Sequence, residues 1–195
     1  MSIKSKWNER YRAATGEPQA SRVLEENLHL LPGSGRALDL ACGLGANAIL
    51  LAQQGLTVDA WDIADVAIAA LQELALRRHL SIQAEVRDVE VHPPEPKTFD
   101  VVVVSYFLDR DIVPALIQAL KPGGLIYYQT FTRQRVSDRG PQRAEFGLAD
   151  QELLSLFSGL QVLFYREEGR VGDVQKGFRD EAMFIGRKRD DFCSK

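Results

Sequence analysis

Strand-like and helix-like segments alternate through the middle of this 195-residue chain, and this alternation is the feature that most limits its fold. Short apolar or alternating runs typical of strands lie at 36–41, 56–62, 81–88, 99–107 and 125–131. Helical spacing recurs between them, at 46–55, 64–79 and 110–120. Strands that alternate with helices predict βαβ units, and hence a mostly parallel sheet with helices on both faces.

The end of the chain breaks this alternation. A helix near 149–158 is followed by two strand-like runs, 160–168 and 181–188, which favour an antiparallel pair that closes the sheet. The "KPGG" segment at 121–124 indicates a turn, and Pro114 must kink the helix at 110–120 or sit in its first turn. The predicted fold is α/β, a Rossmann-like doubly wound sheet with one antiparallel strand pair.

Composition limits the kinds of partner. Hydrophobic residues make up 45% and charged residues 26%, as in ordinary globular proteins, and the net charge of −3 gives no positive field to attract nucleic acid or anionic membrane. The first residues lack a signal-peptide core, and no run approaches the roughly 18 apolar residues of a membrane span. Cys42 and Cys193 lie too far apart in sequence for a chelating pair. We expect one cytoplasmic domain over 1–195, without metal, nucleic-acid or membrane partners.

The stretch "ALDLACGLGANA" (37–48) is the strongest candidate for a ligand site. Its apolar run contains an acid, Asp39, and breaks into a loop of small residues in which Gly43 and Gly45 leave the backbone open to a ligand. Asp62 and Asp88 follow at the ends of the next two predicted strands. Ligands of open α/β sheets bind beyond the carboxyl ends of the strands, where these acids would meet.

Two ligand classes compete for this loop. Gly43, Gly45 and Ala48 fit the dinucleotide pattern G-x-G-x-x-A, with Asp62 near the position of the ribose acid, which is typical of nicotinamide or flavin enzymes. Asp39, however, would repel a pyrophosphate and would suit a cationic amine. The sequence therefore favours an adenosyl ligand with a cationic end.

The ordered segments "ALDLACGLGANAILLA", "VDAWDIA", "VRDVE", "FDVVVVSYFL" and "LKPGGLIYY" resemble the motifs of class I S-adenosylmethionine (SAM) methyltransferases. The flanks "KWNERYRAATGEPQASRVLEENLHLLPG" and "QTFTR" resemble the branch of tellurite-resistance and thiopurine-type small-molecule methyltransferases. One position departs from the family pattern, because Ala41 replaces the first loop glycine. A positive backbone dihedral at Ala41 would carry strain.

The resemblance implies a SAM-dependent methyltransferase and a role for each matching position. Asp39 would lie near the methionine amino group, Asp62 would accept both ribose hydroxyls, and Asp88 would hold the adenine amino group. The full set of implied cofactor-binding residues is Trp7, Tyr11, Asp39, Ala41, Cys42, Gly43, Gly45, Asp62, Ile63, Asp88, Val89, Ser105, Tyr106 and Phe107. The last three would end the fourth strand beside the reactive methyl group.

Residues 1–32 have two interpretations. Trp7 and Tyr11 are four residues apart and share one face of a predicted helix. The helix could simply dock on the core, or it could form part of a helical cap that covers the cofactor, as the branch resemblance implies.

The sequence does not point to a catalytic base. His29, His79 and His92 stand at no clear catalytic position, and a soft anionic nucleophile needs no base. Arg133 and Arg143 follow the fifth strand and, with Tyr106, are candidates for the acceptor side. The arginine-rich segment that holds them could equally be solvated surface.

The expected acceptor is small and soft or anionic, of the chalcogen oxyanion or thiol type. An O- or N-acceptor, a nicotinamide-dependent oxidoreductase and a SAM-binding module without activity remain alternatives. The oligomeric state stays open.

Overall fold

A seven-stranded sheet forms the centre of the protein in the computed structural model, which describes residues 2–190. The strand order is β3-β2-β1-β4-β5-β7-β6. The strands are β1 (Arg36–Leu40), β2 (Thr57–Asp62), β3 (Ile82–Val86), β4 (Phe99–Ser105), β5 (Leu120–Phe131), β6 (Gln161–Glu167) and β7 (Glu181–Arg187). The helices are α1 (Ile3–Arg12), α2 (Arg22–Glu25), α3 (Ala46–Gln53), α4 (Asp65–Arg78), α5 (Val113–Ala119) and α6 (Glu152–Leu156).

The strand directions confirm the predicted fold class. Strands β1 to β5 run parallel, and β7 lies antiparallel between β5 and β6. The strand order reverses at β1, which pairs with β2 on one side and with β4 on the other. The carboxyl ends of these strands meet there, at the place where ligands bind in sheets of this type.

The helices cover both faces of the sheet because the central strands are apolar on both sides. On β4, Val101 and Val103 pack with residues of α2, α3 and α4, whereas Val102 and Val104 pack with residues of α5 and α6. All four valines are fully buried, as expected for a strand covered on both faces.

Several predicted boundaries differ from the structure. Residues 121–124 do not form a separate turn; they lie within β5. The pairing of β4 with β5 skips there: Phe99 pairs with Leu120, and the next pair is Val101 with Leu125. The extra residues bulge out of the ladder, and Gly123 (φ 78°) donates its N–H to the carbonyl oxygen of Lys188. Helix α5 starts at Val113 with Pro114 in its first turn, one of the two places allowed for it.

The remaining differences shorten elements. The helix predicted over 149–158 spans only Glu152–Leu156, and β4 ends at Ser105, two residues before the predicted end at 107. Strand β3 ends at Val86, so Asp88 stands two residues beyond the strand rather than at its last position.

Candidate active site

The loop between β1 and α3 has an unusual backbone. Ala41, Gly43 and Gly45 all adopt positive φ values, of 55°, 52° and 80°. Glycine reaches this region at little cost, but a residue with a Cβ does not. The strain expected at Ala41 from the sequence is therefore present. The loop is held by hydrogen bonds from Cys42 N to Trp61 O (2.9 Å) and from Gly45 N to Cys42 O (2.9 Å).

Asp39 is fully buried beneath this loop. Its Oδ2 accepts the N–H of Ala48 in the first turn of α3 at 2.9 Å, and its Oδ1 lies 3.4 Å from Nδ2 of Asn47. Burial raises the pKa of Asp39 to about 7, although these hydrogen bonds lower it. The carboxylate therefore caps α3 from inside the protein and occupies an amide that would otherwise face an anion. This is unfavourable for a pyrophosphate.

Asp62 ends β2 on the other side of the loop. Its Oδ2 accepts the N–H of Gly43 and its Oδ1 accepts the N–H of Ala64, both at 2.8 Å. Ile63 lies between Asp62 and Ala64, the residue that precedes α4. Burial raises the pKa of Asp62. Each oxygen keeps a lone pair, so the carboxylate could accept two ligand hydroxyl groups if it were uncovered.

Helix α1 lies over this loop. A Cβ built on Gly43 would be 2.8 Å from the hydroxyl oxygen of Tyr11, so the tyrosine crosses directly above the glycine. The rings of Trp7 and Tyr11 stack with centroids 5.7 Å apart, as their spacing predicts. Burial and the nearby Asp62 raise the pKa of Tyr11 well above its ordinary value.

Two contacts tie α1 to the start of α4. Asn8 Oδ1 accepts the N–H of Val66 at 3.2 Å, and Lys4 forms an exposed ion pair with Asp65 at 3.0 Å. The helix thus docks on α4 and lies over the loop. Its role as a cap over a cofactor stays a prediction.

The third acid is less closely connected to the site. Asp88 Oδ1 accepts the N–H of Glu90 at 3.2 Å, which is the hydrogen bond of an ordinary Asx turn. Val89 is buried in the same core cluster as Trp61. The roles given to Asp88 and Val89 by the resemblance stay predictions.

The end of β4 approaches the loop through hydrogen bonds. Ser105 Oγ is 2.9 Å from Nδ2 of Asn47, which also faces Asp39. Tyr106 follows with a positive φ of 56°, a strained conformation for a non-glycine residue. Phe107 packs partly buried against the core, and its carbonyl oxygen accepts the hydroxyl of Tyr128 at 2.7 Å.

Cys42 is buried and lies within the loop, and burial raises the pKa of its thiol well above the ordinary value. A thiol with a raised pKa is a poor nucleophile at neutral pH. This environment fits a small apolar filler.

The arginines after β5 have different surroundings. Arg133 Nε donates to the carbonyl oxygens of Ala144 (3.0 Å) and Gly147 (3.1 Å), so it fastens the loop. Arg143 is exposed and pairs with Glu145 at 3.4 Å. Both arginines line a small cavity of about 100 Å³. Arg133 also lines a second cavity, of about 370 Å³, with Arg135, Val136, Ser137, Asp138 and Arg170.

Four polar residues of the site were not singled out from the sequence: Ser21, Asn47, Gln129 and Glu181. Asn47 Oδ1 accepts both the N–H and the hydroxyl of Ser21, at 2.8 and 3.0 Å. Gln129 and Glu181 are buried beside Tyr106. Gln129 could have been found from the sequence, because it is a polar residue at a position of β5 that the alternation predicts to be fully buried.

Comparison with known proteins agrees with this geometry. Residues 37–124 match a family model described as a methyltransferase domain. The probable SAM-dependent methyltransferase TehB of Haemophilus influenzae is 29% identical over 150 residues, which cover 72% of this chain and 50% of that protein. A ubiquinone biosynthesis O-methyltransferase of Burkholderia orbicola is 32% identical over 104 residues, covering 50% and 45% of the two chains. The chain thus spans about half the length of these relatives.

The structural comparison points the same way. The crystal structure of Haemophilus influenzae TehB has a TM-score of 0.71 at 21% identity, and the match covers 95% of this chain and 67% of that one. A structure described for the conversion of a disulfide bond into a thioacetal group during echinomycin biosynthesis also scores 0.71 at 21% identity, with 99% and 95% covered.

Residues 37–124 thus match a methyltransferase domain, and the chain has the fold of solved SAM-dependent methyltransferases. Its similarity to TehB confirms the resemblance stated from the sequence. Between residues 2 and 190, none of the helices is long and apolar enough to cross a membrane.

Proposed function

We propose that the protein transfers the methyl group of SAM to a small, soft or anionic acceptor of the chalcogen oxyanion or thiol type. The observation that carries the proposal is the pair of buried carboxylates, Asp39 and Asp62, on either side of the left-handed loop. They make the site suitable for a ligand with a cationic end and ribose hydroxyls.

The residues of the site fit SAM better than a dinucleotide. SAM supplies an electrophilic methyl carbon on a positively charged sulfur. Asp39 acts on the ligand's ammonium group through the field of its charge, because the side chain is fully buried. It also takes the Ala48 amide that a pyrophosphate would need, which disfavours a nicotinamide-dependent oxidoreductase.

Asp62 is the proposed ribose contact, and Tyr11 must then swing away from Gly43 to admit the ligand. On its return the cap of residues 1–32 excludes water from the reaction. The other positions implied by the resemblance, from Trp7 to Phe107, complete the proposed cofactor site. We propose that 1–195 act as one cytoplasmic domain, without nucleic-acid or membrane partners.

The acceptor class rests on chemistry around β5 and on the relatives. Arg133 and Arg143 line one cavity beyond this strand, and arginine forks suit oxyanions. The similarity to the structure described for the conversion of a disulfide bond into a thioacetal group is compatible with a sulfur acceptor. The second candidate is an O- or N-acceptor, which the similarity to a ubiquinone biosynthesis O-methyltransferase favours.

An acceptor screen with methyl-labelled SAM tests the proposal. We expect transfer to selenite, tellurite or a thiol, and little transfer to neutral alcohols or amines. For the oxyanions, Arg133→Ala should reduce turnover and Arg133→Lys should restore it poorly, because a point charge cannot replace the fork. Arg170→Ala is the matched control, since Arg170 lines only the larger cavity. Transfer to alcohols or amines alone would contradict the soft-acceptor assignment.

A further inference from the structure

A compact polar cluster lies at the carboxyl ends of β4 and β5 and at the first residue of β7. Tyr106 Oη is 3.1 Å from Oε2 of Glu181, and Gln129 Nε2 lies 3.0 Å from Tyr106 Oη and 2.6 Å from the same carboxylate oxygen. Arg139 Nη2 approaches the other carboxylate oxygen at 3.2 Å. Glu181 is only 4% exposed and Gln129 is fully buried, whereas Tyr106 is 45% exposed.

The direction of each hydrogen bond in this cluster follows from its neighbours. Gln129 Oε1 accepts the backbone N–H of Val23 at 2.8 Å, so the amide nitrogen of Gln129 is the donor to Tyr106 and Glu181. The Tyr106 oxygen therefore accepts from Gln129 and gives its own hydrogen to the carboxylate. A phenol oxygen can accept two hydrogen bonds, so one lone pair remains for a third partner.

Tyr106 is also placed next to the proposed cofactor site. It follows Ser105, which Asn47 links to Asp39. Its strained backbone is held by a hydrogen bond from Tyr106 N to Gln129 O at 2.8 Å, and its ring packs against Phe131 with centroids 5.1 Å apart. Strain of this kind is concentrated at functional sites, where the surrounding structure maintains it.

We propose that Tyr106 and Glu181 form a relay that removes the proton from a protonated acceptor, such as a thiol, during methyl transfer. The inference rests on the proposed function and deepens it, because it names how a protonated acceptor is activated. Tyr106 is the residue that touches the acceptor, and Glu181 acts through it.

The step balances without a further reactant. The acceptor S–H bond breaks and its proton passes to Tyr106 Oη, while the phenol proton passes to Glu181 Oε2. The electron pair left on the acceptor sulfur forms the bond to the methyl carbon, and the pair of the broken carbon–sulfonium bond stays with the departing sulfur. The proton on Glu181 returns to solvent after product release.

The charges around the relay suit this role. The charge that faces the pair is Arg139, which binds Glu181. Asp180 precedes Glu181, but its carboxylate is held by Ser137 and the N–H of Val136. Burial, followed by the charge of Glu181, raises the pKa of Tyr106 to about 12. The phenol thus stays neutral at working pH and keeps the proton that it must hand to Glu181.

The test compares Tyr106→Phe and Glu181→Gln with the wild type, using a simple thiol acceptor across pH. Tyr106→Phe keeps the ring against Phe131, and thermal unfolding checks that both variants fold. The matched control is Tyr165→Phe, because the Tyr165 hydroxyl also bonds a carboxylate, that of Glu167, but on the edge strand β6.

We expect wild-type turnover of the thiol to stay nearly constant between pH 6.5 and 8.5. In both relay variants the turnover should instead follow the fraction of the thiol that is ionised. For a thiol of pKa about 8.5, turnover at pH 6.5 should then be about 100-fold lower than in wild type. A selenol acceptor, already ionised at pH 6.5, should lose little in either variant. Tyr165→Phe should behave as wild type with both acceptors.

Equal losses with thiol and selenol would overturn the relay and leave the proposed function standing. If the wild type methylates a phenol but no thiol, the soft-acceptor assignment fails, and the same pH comparison with the phenol decides the relay. Turnover of pre-ionised acceptors alone, or of none, contradicts the relay directly.

Discussion

Ala41 carries the clearest backbone strain in the candidate site. Its φ of 55° lies in the left-handed region, which costs a residue with a Cβ roughly 1–2 kcal/mol. Glycine avoids this cost but loses about 0.5–1 kcal/mol of backbone entropy. We therefore expect Ala41→Gly to raise the free energy of unfolding by up to about 1 kcal/mol, measured by urea titration. Ala52→Gly inside α3 is the control and should lower it by about 1 kcal/mol. A destabilising Ala41→Gly would refute the strain.

Asp39 should make SAM binding depend on pH. Its pKa of about 7 in the folded protein means that the carboxyl is mostly neutral at pH 5 and charged above pH 7. A ligand with an ammonium group prefers the charged form, so affinity should rise at least about tenfold from pH 5 to pH 7. Asp39→Asn should remove most of this rise, and calorimetry at several pH values measures it. An equal rise in wild type and Asp39→Asn would contradict the assignment.

The sequence singled out some residues of the candidate site and missed others for a physical reason. Asp39 and Asp62 stand out because an acid in or after an apolar strand is costly unless it has a task. Glu181 looks like the ordinary first residue of a strand. It reaches Tyr106 only because β7 runs antiparallel beside β5 and pairs Glu181 with Phe131. Such pairings between distant segments are not visible in local patterns.

At the scale of elements, α1 is the part whose removal should separate function from stability. Its contacts with α4 include an exposed ion pair and a hydrogen bond, and Tyr11 packs over Gly43. Exposed ion pairs contribute little to stability. Deleting residues 1–12 should therefore reduce methyl transfer far more than it lowers the unfolding temperature.

Tyr11→Ala removes the side chain that lies over Gly43 but keeps the rest of α1. It should reproduce part of the loss of methyl transfer seen in the truncated protein. Full turnover by the truncated protein would show that α1 is not a lid. Loss of the fold on truncation would show that its main task is docking.

The boundaries of elements were the least predictable part of the fold. The "KPGG" segment has the residues of a turn, yet pairing with Phe99 and Val101 on β4 and with Lys188 beyond β7 draws it into β5 as a bulge. Tertiary pairing here overrides the local preference of proline and glycine.

At the scale of the molecule, the alternating pattern was sufficient to predict the sheet. The candidate site at the carboxyl ends of its strands stays a prediction. The parallel strands bring Asp39, Asp62 and Ser105 to the same edge, although 66 residues separate the first from the last in sequence. Local sequence patterns did not predict that α1 lies over the loop, because this position depends on side-chain contacts between α1 and α4.

The central claim is that the loop after β1 and the acid that ends β2 hold SAM. Titration of the purified protein with SAM and, separately, with NAD tests it most directly, with Asp62→Ala as the variant and Asp59→Ala as a control. Asp59 lies on the same strand but pairs with Arg36 away from the loop. We predict micromolar binding of SAM, weakened by about 1.5–3 kcal/mol in Asp62→Ala and little changed in the control. Tight binding of NAD without binding of SAM would contradict the account.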